Sequence, residues 1–565
     1  MVKTDMITGA KAIARGYWPL LAIIGICVFA SFLRCLHLID GSYFYIVNVD
    51  SHYFHWRAVQ YAAGERFPLA GTGLVLPLVY VAKGLSLLFG LSTAVSLELA
   101  GKLLPPVLGL VTMLIVYWAV RKMYDRTMAL LSSLAWAGIP VAVFFGTAGN
   151  LDRDGLSVGL VMVGVLVFYF CKDWRLAFRR KEVGWLAVGI AVLAVELLLY
   201  LEWKYAGPAI LLAILVSYLA LRILVPPIQS MIKKYLGGLP YVSDEPAVPP
   251  SSSEWKTFAV IGLVNIIFAG IRHDRFAFYV QTILHKMGSS GQSGIAEMVG
   301  LGDRDVLSYG AFLLPIAIGL YLVVTRWSPR NLLLLSWFGS CAFLSLFATR
   351  ILPFAAPALC VIVGLGLAGA ISWARKLGLF QGERWAAVGL LGFVLILNSL
   401  WFSLGFVNGR VVAADRDWQD ALSFLRSETA PECRVMTWWD YGYWILDVGE
   451  RRPVVDNGYY RHTEDQLRDI SLAYCTTDPA EAAAIMRKYK SRYLIFSELD
   501  QSIAPTIREY AGLEESDVLP PKSVASRSLK GSFEGGGGLE VVYRNAGVCI
   551  LALSESQQSV SGGVL

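Results

Sequence analysis

Two indoles, a carboxylate, a phenol and a turn-forming glycine follow one another at Trp438-Trp439-Asp440-Tyr441-Gly442. A core strand would exclude the Asp, and a solvated loop would exclude the tryptophans. The run suits a rigid aromatic platform that presents one carboxylate to a polar ligand; the plainer reading is an amphipathic turn packed on its neighbours. Four more acids could share chemistry: Asp50 in Val49-Asp50-Ser51-His52-Tyr53, the pair in Asp152-Arg153-Asp154, and Glu297 in Gly294-Ile295-Ala296-Glu297. A D-x-D pair joined by carboxylates from other loops makes an all-oxygen site, which suits Mg²⁺ or Mn²⁺. Such an ion typically neutralises a phosphate or pyrophosphate leaving group. Taken alone, the D-x-D pair also reads as the charged N-terminus of a solvated helix, and Asp50 reads similarly. His52 and His55 read either as ligands or as interfacial aromatics.

The elements that must position these groups are mostly membrane spans. The chain has 565 residues, 56% hydrophobic and 16% charged, too apolar for a soluble protein of this length. Apolar runs long enough for about 30 Å of hydrocarbon lie near 17–36, 105–122, 127–147, 155–172, 183–201, 205–225, 256–271, 308–325, 331–348, 352–372 and 385–406. The first is long enough to stay as a span rather than be cleaved as a leader. The stretch 74–95 is apolar but interrupted by Lys83, and reads as interfacial or re-entrant. Basic residues gather in alternate loops: Lys3, Lys11 and Arg15; Arg121, Lys122 and Arg126; Lys172, Arg175, Arg179, Arg180 and Lys181; Lys233 and Lys234; Arg326 and Arg330; Arg375, Lys376 and Arg384. The positive-inside rule puts these loops in the cytoplasm, so the net charge of +6 needs no nucleic acid to explain it. The loops left outside, near 37–104, 148–154 and 272–307, carry the four acids at span edges. Charges so near hydrocarbon default to a functional role.

Residues 408–565 are more polar and of mixed periodicity, and are expected to form an extracytoplasmic α/β domain after the membrane domain 1–407. Trp418, Ala421, Leu422 and Leu425 recur at helical spacing. Asp478-Pro479-Ala480-Glu481 is a helix start, with a capping acid and proline at the first helical position. Arg492–Ser497 and Glu540–Tyr543 read as short strands, and Gly535–Gly538 as a turn. Cys433, Cys475 and Cys549 allow at most one disulfide there. Gly364, Gly366 and Gly369 spell GxGxxG inside an apolar run, where close helix packing explains them better than a dinucleotide.

Together these residues resemble the catalytic subunit of oligosaccharyltransferase in its single-subunit bacterial or archaeal form, a membrane glycosyltransferase of the GT-C class. The anchor is Trp438–Gly442. Asp50 after the first span, Asp152 and Asp154 before the fourth, Glu297 in a long outer loop, Arg350 ahead of a proline-containing span and Asp456-Asn457-Gly458 all match. The apolar runs and the resemblance together give about 11–13 transmembrane helices followed by a mixed α/β soluble domain. The resemblance also implies metal-dependent, inverting transfer of a glycan from a polyprenyl phosphate or pyrophosphate lipid to the Asn of Asn-x-Ser/Thr. Mn²⁺ or Mg²⁺ would be held by Asp50, Asp152, Asp154 and Glu297. Asp50 and Glu297 would act as catalytic residues on the acceptor amide, and Arg350 would hold the lipid phosphate. Trp438, Trp439, Asp440 and Tyr441 would bind the acceptor sequon, backed by the helix near 465–475, where Asp469 and Ile470 are candidates. The site would lie on the outer face of the cytoplasmic (inner) membrane. Phe145 departs from the bacterial pattern, in which an Arg precedes the D-x-D by seven residues. An alternative is another polyprenyl-phosphate-dependent membrane glycosyltransferase that modifies lipid or cell-envelope glycan, which would have no use for a hydroxyl-reading pocket. A transporter would place its charges mid-span.

Overall fold

The structure, a computed structural model, describes residues 2–39, 49–65, 74–148, 150–151, 153–177, 206–235, 255, 259, 309–346, 349–376, 392–402, 414–457, 464–514 and 516–554. The expected span 183–201, all of 256–271 except Ala259, and the outer loop 272–307 lie outside these residues. In chain order the first helices are α1 (Val2–Ile39), α2 (Val49–Ala62), α3 (Val75–Phe89), α4 (Thr93–Met123), α5 (Arg126–Gly138), α6 (Pro140–Phe145), α7 (Arg153–Ala177) and α8 (Ala206–Tyr235). They are followed by α9 (Leu313–Thr325), α10 (Pro329–Ser345), α11 (Ala356–Lys376) and α12 (Gly392–Phe402). The chain divides into two compact units. One comprises Met1–Ser42, Arg66–Leu88 and Lys102–Arg410; the other comprises Tyr43–Glu65, Phe89–Gly101 and Val411–Leu565.

The first unit is helical. Among the described residues four helices are long and apolar enough to cross a membrane: Trp18–Leu36, Thr93–Met123, Ile210–Ile228 and Ile351–Ala374. Shorter apolar helices cover Val75–Phe89, Gly155–Phe170, Gly310–Thr325 and Gly392–Phe402. Leu21, Val28, Leu114, Trp118 and Leu314 stay exposed, which suits helices solvated by lipid, and the chain is an integral membrane protein. The glycines of α11 do pack helices. A Cβ at Gly366 would overlap the Pro315 carbonyl oxygen of α9, and one at Gly364 would overlap the Ser132 hydroxyl of α5. Close backbone approach replaces the hydrophobic drive that lipid removes.

The apolar run 127–147 is not one span. It breaks at Ile139, which is extended (φ −70°, ψ 133°), before Pro140 opens α6. Proline offers no N–H and forces its predecessor out of the helical region, so the break strands backbone carbonyls in an apolar setting. Arg34 of α1 gathers them. Its guanidinium is fully buried and donates to the carbonyls of Ala30, Trp136, Ala137 and Ala142 at 3.1–3.3 Å. Its own carbonyl accepts the Ala148 N–H at 2.8 Å. The arginine thereby fixes the segment that runs on toward Asp152 and Asp154. Arg34→Met should cost about 3 kcal/mol or more, because several buried carbonyls lose their donor at once. A thermal unfolding scan in detergent checks this; an unchanged midpoint would show that the carbonyls are satisfied otherwise.

The second unit builds a mixed sheet from β1 (Arg434–Met436), β2 (Arg452–Pro453), β3 (Tyr493–Ser497), β4 (Gly535–Gly536), β5 (Leu539–Arg544) and β6 (Val548–Leu553). The strand order is β2-β1-β3-β6-β5-β4. β1 pairs parallel with β2 and β3, while β3, β6, β5 and β4 pair antiparallel. The helices are α13 (Arg416–Glu428), α14 (Gly442–Asp447), α15 (Glu464–Cys475), α16 (Pro479–Lys488), α17 (Ala504–Tyr510) and α18 (Val524–Leu529). Helix α13 forms because its stripe of Trp418, Ala421, Leu422 and Leu425 is wholly buried and Asp415 caps it, accepting the Trp418 N–H. Asp478 likewise caps α16, accepting the Ala480 N–H at 2.9 Å. Cys433, Cys475 and Cys549 are all free thiols.

Candidate active site

The motif sits just beyond the end of β1. Thr437 and Trp438 leave the strand, Trp439–Tyr441 make one 3₁₀ turn, and α14 begins at Gly442. Only glycine fits at 442: a Cβ there would overlap the Val455 carbonyl oxygen and stand 2.5 Å from the Asp456 Cα. The turn is tied down from three sides. Tyr474 of α15 accepts the Trp438 N–H at 2.8 Å and donates to the Ile495 carbonyl of β3 at 2.7 Å. Asn457, its amide oriented by the hydrogen-bond network, donates to the carbonyls of Trp439 at 2.7 Å and Asp440 at 3.0 Å. The Trp438 indole N–H donates to Asp440 Oδ2 at 3.0 Å.

Both indoles are buried and meet edge-to-face at 6.4 Å, and Trp438 also packs on Tyr510. Trp438 therefore orients the carboxylate from beneath, and Asp440 is the half-buried member of the turn. An ionised carboxylate accepts on two oxygens with about four lone-pair sites, so the indole bond to Oδ2 does not exhaust its capacity to accept. Tyr441 is buried among Trp418 and Trp444, with ring centroids at 4.8 and 5.4 Å.

Behind the turn lies a carboxyl that the sequence did not point to. Asp500 is fully buried, and its Oδ2 accepts the Ser497 N–H at 2.7 Å. The Tyr441 phenol faces the same carboxyl, while Oδ1 has no hydrogen-bond partner of good geometry. Burial pushes Asp500 from its ordinary 3.8 up to about 7, the charge of Asp440 adds to the rise, and the Ser497 and Tyr441 bonds oppose it. The folded protein thus keeps a proton that the unfolded chain has lost. That stabilisation is complete below about pH 4 and disappears as pH rises through about 7. Roughly 2 kcal/mol of stability should therefore be lost between pH 5 and pH 8 in the wild type and retained in Asp500→Asn. Unfolding midpoints at the two pH values test this, and equal slopes would refute it.

The remaining candidates divide between the units. Asp50 is half-buried in the first turn of α2, in the unit that carries the motif. Asp154 is the second residue of α7, and Arg350 lies in the 3₁₀ stretch Thr349–Ala355; both belong to the membrane unit. Helix α7 packs on that stretch. Gly155 and Val158 line a shallow cleft with Pro353, Ala356, Gly109 and Gly146, one residue beyond Asp154 and three beyond Arg350. Asp152 and Glu297 lie outside the described residues, as does Gly458. Among the described residues no three His, Cys, Asp or Glu side chains come together as a metal-holding group. Asp469 accepts instead from Tyr489 at 2.6 Å and from Lys488, so α15 backs the motif through Tyr474. Tyr474 falls on the buried stripe Leu467, Ile470, Ala473, a periodicity that could have flagged it.

Comparison with known proteins bears on this arrangement. Residues 414–500 match the AglB core-like family, described as the AglB core domain. Over 97% of this chain and 75% of the other, the structure superposes on the oligosaccharyltransferase AglB of Archaeoglobus fulgidus, solved with an inhibitory peptide and a dolichol-phosphate, at a TM-score of 0.65 and 16% identity. The chain has the fold of the archaeal oligosaccharyltransferases. It resembles their single-subunit catalytic subunit, as the motif at 438–442 implied. In sequence it is 32% identical over 119 residues to dolichyl-phosphooligosaccharide-protein glycotransferase 2 of Pyrococcus furiosus, a stretch covering 20% of this chain but 15% of that protein. ArnT of Cupriavidus metallidurans, solved bound to undecaprenyl phosphate, shares the helical architecture more loosely, at a TM-score of 0.50 and 12% identity over 96% of this chain and 99% of that one.

Proposed function

We propose that this protein is an oligosaccharyltransferase that moves a glycan from a polyprenyl-linked phosphate or pyrophosphate donor to the Asn side chain of Asn-x-Ser/Thr, with inversion, on the outer face of the membrane. The observation that carries this reading is the motif turn. It holds one half-buried carboxylate, Asp440, on a braced aromatic base, in a segment matching the AglB core domain. An ionised Asp accepts but cannot donate, so it suits a hydroxyl two residues after the acceptor Asn. A sequon lacking that hydroxyl would desolvate the carboxylate without giving it a hydrogen bond in return.

The acceptor amide nitrogen is a poor nucleophile because its lone pair is conjugated with the carbonyl. Asp50 and Glu297 accept its two N–H bonds and draw the lone pair out of conjugation. Arg350 holds the donor phosphate as a fixed cation. The candidate donors Asp50, Asp152, Asp154 and Glu297 are all carboxylates, a set that fits a hard divalent cation such as Mn²⁺ or Mg²⁺. When bound there, that ion supplies charge neutralisation to the departing phosphate.

Incubating membranes that contain the protein and its lipid-linked donor with a fluorescent Asn-x-Thr peptide tests the reading. A mobility shift absent from the Gln-x-Thr control supports it. Transfer of sugar to lipid acceptors with no peptide product would favour the alternative, a polyprenyl-phosphate-dependent glycosyltransferase that modifies lipid or cell-envelope glycan.

A further inference from the structure

Two imidazoles of α2 converge on one carboxylate of α14. His52 Nδ1 lies 2.7 Å from Asp447 Oδ2, and His55 Nδ1 lies 2.8 Å from Asp447 Oδ1. The Asp447 side chain is 6% exposed and that of His52 is 2% exposed. The two histidines are three positions apart (i, i+3), which places them on one face of α2. Between them Tyr53 packs on Tyr443 with ring centroids 5.0 Å apart. Tyr443 precedes Asp447 by four residues and so shares its face of α14. The contact lies wholly within the unit that carries the motif.

Its placement gives it meaning. Helix α14 starts at the residue after Tyr441, so the turn that presents Asp440 and the carboxylate that grips α2 belong to one short, continuous piece of backbone. On the other side, His52 is two residues from Asp50. Apolar packing alone would cover the same surface without desolvating three polar groups, and would leave α2 free to slide. A carboxylate bonded through each oxygen to a different side chain fixes both register and rotation. We propose that Asp447 is a positioning residue that, through His52 and His55, holds the helix bearing Asp50 in a fixed frame with the turn bearing Asp440, so that acceptor recognition and acceptor activation address the same peptide. The role in transfer rests on the function proposed above; the clamp itself does not.

Asp447→Leu keeps the packing and removes both bonds. Asp447→Asn can accept from one imidazole and donate to the other once that ring changes tautomer. In the full-length protein, Asp447→Leu should raise amide hydrogen exchange across 51–62 at least tenfold while β3 and β6 exchange as in the wild type. It should also lower kcat for an Asn-x-Thr peptide at least tenfold, with the peptide KM within threefold. Asp447→Asn should restore both readouts, and His52→Gln or His55→Gln should fall between. Unchanged exchange in Asp447→Leu, unchanged kcat despite faster exchange, or an Asn variant as impaired as Leu would each overturn the proposal. Should Asp447→Leu also loosen β3 and β6, the two histidine variants decide by the same criteria. If the wild type glycosylates no peptide, the functional reading fails, and exchange across α2 alone decides the clamp.

Discussion

Asp50→Ala is expected to cut peptide glycosylation by about two to three orders of magnitude, the loss typical of removing one preorganised charge from a reacting centre. The loss should come from chemistry rather than folding. Helix α2 is anchored by His52, Tyr53 and His55 on α14, none of which needs the Asp50 side chain, so its amide protection should match the wild type. Glu297→Ala should cost a similar factor. Chelation by excess EDTA should abolish transfer by the wild type, and added Mn²⁺ or Mg²⁺ should restore it. Full activity in EDTA, or wild-type rates in Asp50→Ala, would remove the shared carboxylate site from the mechanism and leave Asp50 as a helix N-terminal charge.

What could be read from the sequence was local, and what could not was long-range. The stripe of Trp418, Ala421, Leu422 and Leu425 and the capping acid Asp478 announce α13 and α16 because a helix repeats its environment within a few residues. Strands β3 and β5 showed for the same reason. Val548–Leu553 did not, since a short apolar run buried throughout has no alternation to distinguish strand from helix. Pro140 was visible inside 127–147, but the run reads as one span unless a partner rescues the freed carbonyls, and that partner, Arg34, is about a hundred residues away. The same holds at the candidate site. Trp438–Gly442 stands out by composition, whereas Asp447 takes its role from histidines 395 and 392 residues earlier. Asp500 and Tyr474 matter only because the fold brings β3, α15 and the 3₁₀ turn Glu498–Ile503 up against the motif.

Asp440→Ala should weaken binding of an Asn-x-Thr peptide by about 1.5–3 kcal/mol, the range for a hydrogen bond to a charged group, or roughly 10- to 150-fold. Selectivity is the sharper readout. In the wild type a Val or Ala peptide desolvates the carboxylate without supplying the hydroxyl's bond; in the variant no acceptor remains to be disappointed, so the preference for Thr should largely vanish. Asp440→Asn keeps one acceptor oxygen but brings an N–H₂ that competes for the same neighbours, and should fall between. Trp438→Phe separates orientation from packing. The ring still fills the space beside Trp439 and Tyr510, but the indole N–H that holds Asp440 Oδ2 at 3.0 Å is gone. If the indole's work is to aim the carboxylate, Trp438→Phe should lose Thr selectivity while the domain stays folded. If Asp440→Ala still prefers Thr as strongly as the wild type, the turn at 438–442 is a packing element and the acceptor hydroxyl is read elsewhere.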